Sequence, residues 1–116
     1  METAIRKEVK PGDYYYTSWG YDQTNIDYIV VVGVSPTGKT ATCRRADAIN
    51  VGESGQSDVL SPGVACGDSF RLKVMPDGTL RGKYPYCIGH TSRRFGYFQP
   101  TQVGAIHYET MAEFGH

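Results

Sequence analysis

The run IDYIVVVGV, Ile26 to Val34, constrains the fold more than any other stretch of the chain. Beyond Tyr28 it is apolar at both odd and even positions. Because the side chains of a strand alternate between two faces, such a run predicts a central β-strand that is covered on both faces. The residues SPTGK follow at once, and they are typical of a turn that sends the chain back.

The residues from Gly33 to Thr40 also match the phosphate-loop pattern G-x-x-x-x-G-K-[ST]. A phosphate loop needs a helix that begins at this point, an acidic residue at the end of a second strand, and room for crossover helices. The following TATC is β-branched at alternate positions, and no apolar strand downstream ends in an acid. We therefore predict a β-hairpin turn, and we expect no nucleotide or other cofactor.

A second hairpin is indicated by SFRLKVMPDGTLRGKYPYCI, in which apolar and basic residues alternate before the turn residues Pro76 and Gly78. Nine tyrosines, four phenylalanines and fourteen glycines also favour short strands joined by many turns. The prediction is a single all-β domain over residues 1–116. It is a small SH3-like or similar closed β-barrel of about six antiparallel strands, with one long loop near residues 47–67. The segment AIHYETMAEFGH remains ambiguous between a last strand and a short helix.

Several classes of protein are excluded by composition. The first residues contain no apolar signal region, and the longest apolar run is far too short to span a membrane. Cys43, Cys66 and Cys87 are widely spaced, which predicts no metal site, and an odd number of cysteines without a signal region predicts reduced thiols in a cytoplasm. The oligomeric state stays open.

The stretch SWGYDQTN, before the central strand, concentrates polar and aromatic residues. One interpretation is a structural corner, in which Trp19 and Tyr21 cap an open end of the barrel and the polar residues form turns. In that case we expect Trp19 to be mostly buried against the strand of Val30 and Val32. The other is a polar-aromatic binding pocket formed by Trp19, Tyr21, Asp22, Gln23, Asn25 and Asp27. Asp27 would need Arg44 or Arg45 as a partner if its face is buried. A more remote alternative is a small enzyme that uses Asp22 and Asp27.

The residues from Gly12 to Thr40 resemble a family of small phage, plasmid and bacterial proteins without an assigned activity. Its block reads SWGYDQTN-[IV]-D-[FY], and weaker similarity covers 62–71 and 96–110. The resemblance implies a small all-β protein of mobile-element origin. It also argues against a phosphate loop, because family members keep only GKT and vary the residues before it.

A basic-aromatic window extends from Ser69 to Val103. It holds six Arg and Lys residues and one acid, Asp77, which is a local charge of six minus one, or +5. This pattern favours a non-enzymatic module that binds single-stranded nucleic acid, with cations on phosphates and rings stacked on bases. The alternatives are an ordinary solvated strand face and an inhibitor that binds a host defence protein. We expect both Arg93 and Arg94 to face solvent, and the predicted contact residues are Arg81, Lys83, Arg93, Arg94, Phe95, Tyr97 and Phe98.

Overall fold

The computed structural model describes residues 9–19, 25–54, 57–85, 93–102 and 107–110. Within these ranges every regular element is a strand, as the aromatic and β-branched composition predicts. The seven strands are β1 (Tyr14–Trp19), β2 (Asn25–Val34), β3 (Thr40–Ser54), β4 (Ser57–Val74), β5 (Leu80–Tyr84), β6 (Arg94–Thr101) and β7 (His107–Thr110).

The first six strands form a closed antiparallel ring. Each strand pairs with the next along the chain, and β6 returns to pair with β1 through Tyr14 opposite Thr101 and Tyr16 opposite Gln99. The remaining strand, β7, adds to β4 outside the ring. The predicted barrel of about six antiparallel strands is therefore confirmed, and the ambiguous C-terminal segment contains a strand.

The turn that follows β2 confirms the hairpin prediction. Backbone hydrogen bonds run from Gly38 N to Ser35 O and from Ser35 N to Thr40 O, each 2.9 Å long. Gly38 has φ of 74°, a conformation that a residue with a Cβ rarely adopts. Strand β3 begins at Thr40, where a phosphate loop would open a helix.

The barrel interior is filled by one side of each strand. The double burial expected of the central strand is confirmed, because Ile26 to Val31 are all buried. On β4, Phe70 and Leu72 are buried while the residues between and beside them are exposed. The interior cluster consists of Val9, Tyr15, Ile29, Val31, Ala41, Cys43, Phe70, Leu72, Leu80, Tyr84 and Phe98.

The predicted long loop near residues 47–67 is wrong. This segment forms the distal half of a long β3–β4 hairpin, which pairs Ile49 with Ser61 and Asn50 with Leu60. Its Gly, Ser and Asp residues hide the strand pattern, and two of the three register shifts between β3 and β4 fall in it. We call residues 46–54 and 57–65 the arm.

The arm packs against the outside of the barrel. Leu60 and Ala46 join Ile26 and Tyr28 in a second buried cluster on the outer face of β1 and β2. This cluster explains why β2 is covered on both faces, since its inner side chains fill the barrel and its outer ones lie under the arm.

Candidate functional site

The residues predicted from SWGYDQTN lie at one end of the barrel, where β1 ends and β2 begins. Trp19 is paired with Asn25, and the Asn25 side-chain amide donates to the Trp19 carbonyl at 3.3 Å. Tyr21, Asp22 and Gln23 lie outside the described residues. The pocket hypothesis is therefore tested by the structure only at Trp19, Asn25 and Asp27.

Asp27 is the centre of a buried hydrogen-bond cluster. Its Oδ2 accepts from the Trp19 indole N–H at 2.7 Å and from the Tyr84 hydroxyl at 2.5 Å. Its Oδ1 accepts from an Arg45 Nη at 3.1 Å. Asp27 is only 8% exposed, so the prediction that it needs Arg44 or Arg45 is confirmed, with Arg45 as the partner.

Arg45 is itself tied to the backbone around it. The other Nη donates to the Pro85 carbonyl at 2.9 Å, and Nε donates to the Tyr28 carbonyl at 3.4 Å. Its guanidinium carbon also lies 5.8 Å from the centre of the Tyr84 ring. Arg44, by contrast, donates to the Gly67 carbonyl on the outside of the barrel. Both charges of the Asp27–Arg45 pair are thus hydrogen-bonded, as a buried ion pair requires.

Burial raises the pKa of the Tyr84 hydroxyl, and the neighbouring Asp27 carboxylate raises it further. Tyr84 therefore remains a protonated donor to Asp27 throughout the physiological range. With three donors directed at it, Asp27 is accounted for as a structural acceptor. The hypothesis of an Asp22/Asp27 enzyme stays a prediction, because Asp22 lies outside the described residues.

The predicted packing of Trp19 on Val30 and Val32 is wrong. The antiparallel register places Tyr14, at the other end of β1, opposite Val30. Trp19 is half-buried at the barrel end, and the Arg94 guanidinium carbon lies 4.0 Å from the centre of a Trp19 ring. That distance is well within the range of a cation–π contact.

A second candidate site covers the outer face of three neighbouring strands. Arg81 on β5 is opposite Tyr97 on β6, and Lys83 is opposite Phe95. On β4, Lys73 is opposite Arg81. Because side chains alternate along a strand, all of them project away from the buried interior. We call this surface the basic aromatic face; its residues are Arg71, Lys73, Arg81, Lys83, Phe95 and Tyr97.

The two rings of this face are unusually accessible. Phe95 is 51% exposed and Tyr97 is 62% exposed. Their centroids are 5.1 Å apart in an edge-to-face arrangement, and the Arg81 guanidinium carbon lies 5.0 Å from the Tyr97 centroid. Arg81 Nε is buried and has no hydrogen-bond acceptor among the described residues. The face thus combines cations, rings and one unused donor.

Two of the predicted contact residues have other roles. Phe98 is fully buried, because strand alternation turns it inward, where it meets Tyr84 edge to face at 4.9 Å. Arg94 is directed to the barrel end and Trp19, so the expectation that both arginines face solvent is correct only for Arg93, which is exposed. Arg71 and Lys73 take their place on the face, and the alternation RLK in β4 is the signal for them.

The described residues hold little else that resembles a site. Two shallow clefts of about 580 and 570 Å³ lie at the opposite barrel end, between the two hairpin turns. No cluster of three His, Cys, Asp or Glu suited to a metal ion is found in the described ranges. In the same ranges no helix is long and apolar enough to cross a membrane.

Fold and surface together define a class, a small closed antiparallel barrel with cations and exposed rings on one outer face. Comparison with protein families, with curated proteins and with solved structures found no match. The family resemblance of residues 12–40 therefore stays a prediction.

Proposed function

We propose that the protein is a non-enzymatic cytoplasmic module that binds single-stranded nucleic acid, tolerant of sequence, through the basic aromatic face. One observation carries the proposal: Phe95 and Tyr97 are both more than half exposed and stand in register with Lys83 and Arg81. Proteins that bind single strands combine cations along the backbone with rings on which bases stack.

The spacing of the rings fits two successive bases. Residues two apart on a strand are about 6.6–6.8 Å apart, and both side chains project from one face. One edge of this ladder carries Arg81 and Lys83, and Arg71 and Lys73 continue it onto β4. A strand laid along β6 therefore has bases over Phe95 and Tyr97 and phosphates near β5.

Arg81 connects the two kinds of contact. In the free protein its guanidinium lies over Tyr97, and its buried Nε has no acceptor among the residues that the structure describes. An unpaired buried donor costs about 1–3 kcal/mol. A small rotation of the guanidinium toward a phosphate satisfies this donor and uncovers the Tyr97 ring for a base. Binding thus relieves an unfavourable feature of the free surface.

The test is fluorescence anisotropy of labelled oligothymidine at several salt concentrations. We expect affinity to decline as salt rises, and the double variant Lys73→Ala with Lys83→Ala to flatten the slope of log affinity against log salt by about 1.4, at ~0.7 per phosphate contact. Tyr97→Leu keeps the apolar area but removes the stacking surface, and should weaken binding by about 1–3 kcal/mol. Lys10→Ala, an exposed cation outside the face, is the matched control.

Absence of binding at low salt would contradict the proposal, and so would binding that ignores both face variants. Either result would favour the alternative of an inhibitor directed at a host protein. Unchanged affinity in Lys10→Ala, beside losses in the face variants, would locate the contact on β4 to β6.

A further inference from the structure

Exposed apolar side chains are concentrated on two surfaces. Among the residues that the structure describes, six large hydrophobic side chains are exposed. Scattered exposure is ordinary, but five of these six lie either on the arm or on the basic aromatic face. The arm contributes Ile49, Val51 and Val64, the face contributes Phe95 and Tyr97, and Val32 stands apart.

On the arm, exposed apolar residues of β3 and β4 lie close to each other along the hairpin. The Ile49 side chain lies directly over Gly63, and Gly63 precedes Val64 in the chain. Val64 is 70% exposed, the largest fraction in this group. The arm therefore presents an apolar patch of its own.

The two surfaces have opposite charge. Residues 46–70, which contain the arm, include four acids and no Lys or Arg. The basic aromatic face carries four cations, Arg71, Lys73, Arg81 and Lys83. The formal net charge is zero, but acidic residues predominate around the arm and basic residues on the basic aromatic face. Both surfaces also carry exposed apolar side chains.

One chain cannot bring its own two patches together. The arm is held on the outside of β1 and β2 by the cluster of Leu60 and Ala46 with Ile26 and Tyr28. The face lies on β4, β5 and β6, and in the ring of six strands β5 is opposite β2. The patches therefore point in different directions, and only a second molecule can join them.

We propose that the arm of one copy of the chain docks on the basic aromatic face of a second copy, head to tail. Ile49 and Val64 pack on Phe95 and Tyr97, and Asp47, which is exposed on the arm, faces the cations of β4 and β5. Such a contact joins two different patches, so it leaves a free arm at one end and a free face at the other and can extend. Because charge contributes to it, the association weakens with salt.

The experiment is analytical ultracentrifugation from low micromolar to millimolar protein, at low and high salt. Wild type should show a mass that rises with concentration at low salt and stays near the monomer at high salt. Val64→Arg on the arm and Tyr97→Arg on the face should each weaken association by about tenfold or more, since each puts a cation into an apolar contact. Val32→Arg is the control and should associate as wild type.

Mixing the two defective variants gives the sharpest result. The Tyr97→Arg chain keeps a native arm and the Val64→Arg chain keeps a native face, so an equal mixture should form one-to-one dimers that do not grow. In such a dimer the unused arm carries the arginine of Val64→Arg and the unused face carries the arginine of Tyr97→Arg. These two surfaces repel each other, so no further chain is added. Wild type that is monomeric at every concentration would overturn the proposal, as would variants that associate alone or a mixture that stays monomeric.

Melting temperatures of the variants show that each is folded, since all three positions are exposed on strands. The inference does not rest on nucleic-acid binding, although both use the same face. If added oligonucleotide dissociates the assembly, nucleic acid and the arm bind to the same face. If the anisotropy experiment detects no nucleic-acid binding, the ultracentrifugation experiment still tests the association of two copies.

Discussion

Asp27 connects four strands at one end of the barrel. It lies on β2, and its three donors lie on β1, β3 and β5: Trp19, Arg45 and Tyr84. A carboxylate in this position fixes the relative placement of strands that are distant in the sequence. The first prediction concerns what happens when its charge is removed.

Asp27→Asn should lower the free energy of unfolding by about 3 kcal/mol. The amide leaves the Arg45 guanidinium without its counter-charge and turns an N–H₂ group toward one of the three donors. Urea denaturation at neutral pH measures the loss. Asp68→Asn, at an exposed position of β4, is the matched control and should change stability by no more than about 0.5 kcal/mol. Equal effects in the two variants would show that the cluster contributes nothing.

Stability should also fall at alkaline pH. Burial raises the pKa of Tyr15 and of the Cys43 thiol to about 12, and it raises the pKa of Tyr84 above its ordinary value. Below the unfolded-state pKa of each group both states are protonated, and the stability is fully present. As pH rises above about 9 for Cys43 and about 10 for the tyrosines, the unfolded chain loses protons that the folded chain keeps, so stability declines.

Each tyrosine should contribute about 1.4 kcal/mol per pH unit to this decline. Urea unfolding between pH 8 and 11 measures the slope of unfolding free energy against pH in wild type and in the double variant Tyr15→Phe with Tyr84→Phe. The comparison of slopes is independent of the stability that the variant loses with its hydrogen bonds. The double variant should have the shallower slope above pH 10. Parallel slopes would contradict the assignment.

At the scale of the element, β6 carries a position where a side chain does not fit. A Cβ on Gly96 would lie 2.8 Å from ring atoms of both Phe98 and Tyr84. These two rings are fully buried and meet edge to face, so neither can move away freely. The absence of a side chain at Gly96 thus permits the aromatic packing of the interior.

Gly96→Ala should therefore destabilise the barrel by about 1–3 kcal/mol through overpacking. Gly52→Ala on the arm is the matched strand glycine, because a Cβ there meets no atom within 4 Å, and its effect should stay within about 1 kcal/mol. Thermal unfolding of the two variants makes the comparison. A destabilisation by Gly52→Ala as large as that by Gly96→Ala would show that loss of glycine, not crowding, is the cause.

Elements with local signals were predictable from the sequence. Short sequence patterns are enough to predict the apolar run of β2, the turn at Ser35–Lys39 and the turn at Pro76–Gly78. The structure contains all three at the predicted positions. The arm does not, because its strands contain Gly, Ser and Asp and its pairing shifts register. Hydrogen bonds along a long hairpin outweigh the low strand propensity of its residues.

The roles of single residues in the candidate sites were harder to predict. Alternation along β6 decides that Tyr97 is outside and Phe98 inside, and this follows only when the strand start is known to within one residue. The neighbours of Trp19 are hard to predict for a similar reason, since the register of β1 on β2 depends on the whole pair of strands. Asp27 and its arginine were predictable, because an acid on a buried strand demands a cation.

At the scale of the molecule, the ring of strands closes only when β1 pairs with β6, which lies far from it in the sequence. Tyr16 on β1 and Gln99 on β6 are 83 positions apart, yet they pair and their side chains bond at 3.4 Å. Bringing the ends of so long a segment together costs about 4 kcal/mol in chain entropy, by the (3/2)RT ln n rule. Contacts between residues close in sequence cannot offset this entropy cost, so β1 and β6 pair only after the strands between them are in place.

Refolding should accordingly take milliseconds to seconds, as in other small proteins dominated by non-local strand pairs. The only tryptophan, Trp19, belongs to β1 and lies under the guanidinium of Arg94, which belongs to β6. Its fluorescence in a stopped-flow experiment thus responds to the meeting of β1 with β6 and to the hydrogen bond with Asp27 on β2. A microsecond phase carrying the full change would contradict the expectation. During synthesis on a ribosome the same geometry keeps the barrel open until β6 has emerged, so the ring cannot close before the chain has been made as far as Thr101.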